Sequence, residues 1–195
     1  MSNGRLILAS ASPRRRELLT QIGLRFEVVV TDVDESRLTD ESPDAYVERL
    51  AISKARAGHR GDGVAIGSDT IVLVGDEILG KPGGPKEGKA MLQRLSGRPH
   101  QVKTGVAVYD SKRTESVVVT TQVMFRDISE AEIDAYVQTG EGRDKAGGYG
   151  IQGIGSIFAS SIEGSYSAVV GLPLAETEAL LRMLNVDTWR ARVDV

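Results

Sequence analysis

Short apolar runs alternate with amphipathic stretches along the chain. "RLILA" (Arg5–Ala9) and "FEVVV" (Phe26–Val30) are compact and apolar and predict strands. Between them, Pro13–Ile22 carries helical spacing and ends at Gly23. Ser42 and Pro43 are a cap and a first-turn residue for a helix running to about His59. "VAIGSDTIVLV" predicts two apolar strands broken at Gly67-Ser68-Asp69-Thr70, and "DEILGKP" a short strand and turn. Pro85–Leu95 predicts a helix, and "HQVKTGVAVYD" with "ESVVVTTQVMFRD" a hairpin. Ser129 opens a helix through Val137, with Glu132 completing a capping box. "SIFASSI" predicts a strand, Pro173–Leu184 the last helix, and residues 185–195 a loosely held tail. Interleaved strands and helices with a hairpin predict an α/β fold on a mixed sheet.

Length and composition narrow the classes. The 195 residues suit one domain, or one domain with two lobes around a central cleft. The net charge of -3 argues against a general nucleic-acid or membrane-surface binder. There is no cysteine, so no disulfide and no thiolate chemistry. The start "MSNGRLILAS" lacks the apolar core of a signal peptide, and no apolar run approaches a membrane span. These features predict a soluble cytoplasmic protein with no membrane partner. The 22 glycines cluster at Gly58–Gly67, Gly75–Gly88 and Gly140–Gly155, which predicts tight turns and close backbone approach.

Two glycine-rich stretches resemble nucleotide loops only by letters. "GGPKEGKA" has Ala90 where a phosphate loop needs Ser or Thr, and it does not follow a long buried strand. "GYGIQG" (Gly148–Gly153) neither follows a strand nor opens a helix, so the basis of the dinucleotide fingerprint is missing.

"LASASPRRRELL" raises a sharper question, because three arginines stand where a helix already carries positive charge. With Leu18, Leu19 and Ile22 as the buried face, Arg15 points to the protein body. Arg14 lies roughly 85° to one side and Arg16 faces water. Arg15 therefore needs an anion, either a ligand or an internal carboxylate. Asp69, in the expected break of an apolar strand, is a site candidate or a turn aspartate bonding its own backbone. "VDES" supplies Asp34 and Glu35, either a solvated acidic loop or carboxylates for a hard divalent ion. Lys54, Lys81 and Lys145 are isolated lysines that, with Arg14 and Arg15, suit a polyphosphate. His59 and His100 receive no role.

"LASASPRRRELL", "VDES", "SKA", "GSDT", "GKP", "SGRPHQVKTG", "DKAGGYGIQG" and "GSYSAVVGLPL" occur in that order and resemble the Maf family of nucleoside triphosphate pyrophosphatases. The resemblance runs from about Leu6 to Leu184. It implies a twisted mixed sheet flanked by helices, two lobes around a cleft as in inosine-triphosphatase-like proteins, a homodimer, and Mg²⁺ or Mn²⁺. It implies cleavage of a nucleoside triphosphate between the α and β phosphates. Asp69 is then the proton acceptor, with Glu35 its partner near the metal. Ser10, Arg15, Lys54, Lys81 and Lys145 lie around the phosphates. Arg14, Thr70 and Gln152 match the dTTP/UTP group at three base-selecting positions, where members acting on 7-methyl-GTP differ. Ala168 departs from the Asn of many members, "KPGGPKEGK" is richer in glycine, and the tail after Leu184 matches nothing familiar. The alternatives are the same hydrolysis of a modified purine nucleotide, or a non-catalytic nucleic-acid-binding or cell-division regulator. The first reading implies no stable nucleic-acid complex.

Overall fold

The computed structural model describes residues 5–193. It is an α/β structure with a seven-stranded mixed sheet. The strands are β1 (Leu6–Leu8), β2 (Glu27–Val28), β3 (Val64–Val74), β4 (Glu77–Leu79), β5 (Pro99–Tyr109), β6 (Thr114–Phe125) and β7 (Ala159–Glu163). Their order is β2-β1-β3-β5-β6-β7, with β4 paired to β3. β1 runs parallel to β2 and β3, whereas β4 is antiparallel to β3 and β7 to β6. The helices are α1 (Pro13–Gln21), α2 (Pro43–Gly58), α3 (Pro85–Leu95), α4 (Glu130–Thr139), α5 (Tyr166–Val170), α6 (Leu174–Met183) and α7 (Arg190–Val193).

The chain divides into two compact units. The first comprises residues 1–69, 104–119 and 171–195, and the second residues 70–103 and 120–170. β3, β5 and β6 each give residues to both.

In the first unit, α2 begins as the sequence predicts. Ser42 Oγ accepts from Ala45 N–H, Pro43 opens the first turn and Asp44 complements its positive end. Its buried positions are Val47, Leu50, Ala51, Lys54, Ala55 and Gly58, a single helical stripe that includes one lysine. Two glycines let this helix lie close to the strands. A Cβ on Gly67 of β3 would collide with the backbone of Ala51 and Ala55. A Cβ on Gly105 of β5 would meet the Val47 carbonyl oxygen at 2.5 Å. Ala51, Ala55 and Ala107 are fully buried at this contact, because only small side chains fit. Of the tail, α7 is described: Arg192 donates to the Ile22 carbonyl (2.7 Å) and pairs with Glu178 (2.6 Å).

In the second unit, α4 carries the predicted capping box, with Ser129 and Glu132 bonded reciprocally. Arg126 and the Ser129 donors hold the Glu132 carboxyl down at about 2. The aromatic core centres on Phe125, which meets His100, Tyr149 and Phe158 edge to face. His100 is buried, shares a 2.8 Å hydrogen bond with the Tyr149 hydroxyl, and is pushed down by burial to about 4.

Four expectations change, one of them that Pro173–Leu184 holds the last helix, since α7 follows it. "VAIGSDTIVLV" is one continuous strand, β3, because its burial is satisfied on both sides of Gly67. "SIFASSI" is a 3-10 turn (Ile154–Phe158) followed by β7, and "FEVVV" contributes only the two-residue β2. α5 lies in a segment without clear helical spacing.

His100 gives a pH prediction. Its folded pKa lies below the ordinary histidine value, so the unfolded chain binds the extra proton first. Its contribution is complete above about pH 6.5 and is lost as pH falls toward 4, up to about 3 kcal/mol. Urea unfolding measured across this range should therefore show a shallower acid limb in His100→Gln than in the parent chain.

Candidate active site

Six of the predicted site residues lie in the first unit: Ser10, Arg14, Arg15, Glu35, Lys54 and Asp69. Lys54 projects from the buried stripe of α2. Its Nζ lies 2.7 Å from Asp69 Oδ1 and 2.6 Å from Glu35 Oε1. The side chains of Lys54 and Asp69 are 10% and 13% exposed, whereas Glu35 is 52% exposed. Two carboxylates and one ammonium thus meet at the edge of solvent.

Each group has its own support. Asp69 stands in the middle of β3, so its backbone is held by the sheet. It is neither in a loop nor a turn aspartate. Glu35 belongs to a loop braced by α2: Tyr46 Oη donates to the Glu35 carbonyl (2.7 Å) and Arg49 to the Ser36 carbonyl (2.9 Å). Asp34 accepts from Ser36 N–H at 2.8 Å, which shapes the loop.

Arg15 turns to the protein body as its helical angle predicts, while Arg16 is exposed. Arg15 Nε donates to the Gly171 carbonyl (2.8 Å) and Nη1 to Ser10 Oγ (3.3 Å). The same Gly171 carbonyl accepts from Ser68 Oγ at 3.0 Å, and Ser68 also donates to Gly105 at 2.8 Å. Burial lowers the Arg15 pKa; the charge of Asp69 works against this, Arg14 adds to it, and Glu35 opposes it. Ser12 sits at the N-cap of α1 without a side-chain capping bond, and its N–H donates to Ser10 Oγ instead (3.2 Å). Arg14 has a buried Nε with no hydrogen-bond partner among the described residues. That donor is costly to leave unpaired and calls for an acceptor.

Thr70, Lys81, Lys145 and Gln152 belong to the second unit. Thr70 follows Asp69 on β3, while Lys81 and Gln152 are exposed. Lys145 Nζ donates to Asp144 and to the Glu141 carbonyl, both at 2.6 Å. An amide of the first glycine-rich stretch that resembles a nucleotide loop by letters, and the two amides just after the second, are met by carboxylates of the chain itself. Gly83 N–H donates to Glu87 (2.7 Å), and Ile154 and Gly155 N–H to Glu141 (2.8 and 3.0 Å).

The family model described as "Maf-like protein" matches residues 5–184. The chain belongs to the Maf family. The match spans both units of this Maf-like chain and stops where α6 ends. A Vibrio cholerae protein named "dTTP/UTP pyrophosphatase" is 56% identical over 184 residues, covering 93% of this chain and 98% of its own. Proteins of the same name from Pseudoalteromonas atlantica and Shewanella denitrificans are 50% and 52% identical. They cover 93% and 90% of this chain, and 97% and 93% of their own lengths.

Sequence reasoning misses Ser68, Tyr46, Arg49 and Gly171. Only Ser68 has a local signal, its place beside Asp69 in "GSDT". Lys54 stands out in the sequence as an isolated lysine. The stronger signal is its place in the apolar stripe of α2, where an unpaired ammonium is not tolerated.

Removing that ammonium should leave two carboxylates facing one another. Lys54→Met is expected to cost about 1–3 kcal/mol, below the full cost of breaking a buried pair because Glu35 is half exposed. Adding Asp69→Asn to Lys54→Met should recover part of the loss, which thermal melts of the single and double variants will read.

Proposed function

We propose that this Maf-family chain is a nucleoside triphosphate pyrophosphatase acting on dTTP and UTP. It splits the bond between the α and β phosphates and releases the monophosphate and pyrophosphate. The supporting observation is the meeting of Asp69, Glu35 and Lys54 in the unit that also carries Arg15 and Ser10, in a chain with relatives so named.

In this reading, water attacks phosphorus, the P–O bond to pyrophosphate breaks, and Asp69 accepts the proton lost by the water. Lys54 holds the Asp69 carboxylate in a fixed orientation through its 2.7 Å bond. Arg15, Ser10, Lys54, Lys81 and Lys145 bind phosphate oxygens, and contacts that tighten on the departing pyrophosphate lower the barrier. Arg14, Thr70 and Gln152 select the base. Gln152 both donates and accepts, which suits a pyrimidine edge.

The donors suit a divalent cation. Among the described residues no group of three or more His, Cys, Asp or Glu is placed to hold a metal. Glu35 and Asp69 are hard oxygen ligands, and Mg²⁺ commonly binds through one or two carboxylates with phosphates and water. An ion there would share Glu35 and Asp69 with Lys54. When bound, Mg²⁺ or Mn²⁺ supplies Lewis acidity and screens the triphosphate charge.

We place the protein in the cytoplasm as a homodimer. The lack of cysteine fits a reducing compartment, and the resemblance of the motifs supports the dimer. No described helix is long and apolar enough to cross a membrane.

Pyrophosphate release from each nucleoside triphosphate with Mg²⁺ or Mn²⁺ tests the reading. Asp69→Asn should retain its fold and lose about 10²-fold or more in kcat. Release from 7-methyl-GTP but not from dTTP or UTP would overturn the base assignment, and no release from any triphosphate would overturn the enzyme. A ligand at 100 times its Kd adds about 2.7 kcal/mol. dTTP with Mg²⁺ should accordingly raise the melting temperature by about 5–10 °C in the inactive Asp69→Asn chain, which does not consume it, and by much less when Arg15→Ala is added.

A further inference from the structure

The glycine-rich segment that holds Gln152 is built around a side chain of its own unit. Glu141 follows the end of α4 and reaches into the loop. Its Oε1 accepts from Gly155 N–H at 3.0 Å and its Oε2 from Ile154 N–H at 2.8 Å. The buried Tyr136 hydroxyl donates to Oε1 at 2.9 Å and accepts from Gly150 N–H at 3.0 Å. Carboxylate and phenol together satisfy three backbone donors on either side of Gln152.

The glycine spacing follows from this arrangement. A Cβ on Gly150 would lie 2.9 Å from Glu141 Oε1, and one on Gly153 would collide with Oε2. A Cβ on Gly155 would stand 3.0 Å from the Tyr136 hydroxyl and 2.9 Å from the Gly150 carbonyl. The close backbone approach that the sequence implied is therefore an approach to Glu141 and Tyr136. Burial raises the Glu141 carboxyl pKa, but the loop amides, Tyr136 and Lys145 outweigh it and leave it below the ordinary value. It is thus an acceptor on both oxygens across the neutral range.

We propose that Glu141, locked by Tyr136, is a positioning residue for base selection: it fixes the Gly150–Gly155 loop so that Gln152 meets the pyrimidine edge at a set distance. This rests on the assignment of Gln152 to the base. The exposed Gln152 side chain has no buried packing of its own to orient it, so its reach is set by the backbone that carries it.

The test uses Glu141→Gln, Tyr136→Phe, Gln152→Ala and the double variant Glu141→Gln/Gln152→Ala in the full chain. Glu141→Gln places an amide donor against a backbone donor, and Tyr136→Phe keeps the ring while removing the hydroxyl. Amide hydrogen exchange at Ile154 and Gly155 should accelerate at least about tenfold in Glu141→Gln. KM for dTTP should rise about tenfold and the preference for dTTP over dCTP should fall by a similar factor, with kcat at saturating dTTP changing less than about threefold. In the Gln152→Ala background, Glu141→Gln should cause no further loss of preference, because the two act in series.

A Glu141→Gln enzyme with faster exchange and intact preference overturns the proposal, as does an additive loss in the double variant. If Glu141→Gln does not fold, Tyr136→Phe takes its place: the same changes are expected of it, and intact preference with faster exchange overturns the proposal there too. Failure of the functional reading is distinct, since it shows in the parent enzyme as no pyrophosphate from dTTP or UTP.

Discussion

An ammonium in the apolar stripe of a helix is the constraint on which the first unit depends. Lys54 lies among Val47, Leu50, Ala51, Ala55 and Gly58, a face that otherwise buries only hydrocarbon and backbone. A charge there must be paired, and the pairing decides what surrounds it. Asp69 meets it from β3 and Glu35 from the loop before α2. The approach needs α2 to lie against the strands at a distance that only Gly67 and Gly105 permit. Small residues at the contact and charges at its margin are thus two parts of one arrangement.

Arg15 is held by a different device. The Gly171 carbonyl accepts from both Arg15 and Ser68, so a side chain from α1 and one from β3 are referred to one backbone oxygen. Gly171 has φ 128°, a conformation that L side chains rarely adopt. The carbonyl is a neutral acceptor and orients the guanidinium without cancelling its charge, while Asp69 and Glu35 act on that charge through space.

The two false nucleotide loops share a physical explanation. In the first, Glu87 accepts from Gly83 N–H; in the second (Gly148–Gly153), the Tyr136 hydroxyl accepts from Gly150 N–H, and Glu141 accepts from the Ile154 and Gly155 amides just beyond it. Loop composition reports that amides approach an acceptor closely. It does not report whether that acceptor is a phosphate or a side chain of the same protein.

Much of the fold is legible from local signals. The caps at Ser42 and Ser129, the prolines opening α1, α2 and α3, and the angle of Arg15 depend on neighbours within a turn or two. Such effects act over short chain distances, and residue type determines them. Motif order likewise carries the family and the set of candidate residues. The continuity of β3 through "GSDT" is not legible, because glycine in a strand looks like a break until a helix backbone is seen to need the space. The pairings Lys54–Asp69, Arg15–Gly171 and Ser68–Gly171 join residues 15, 156 and 103 positions apart. No spacing rule reaches them: which buried charge meets which partner is decided only when packing brings their elements together.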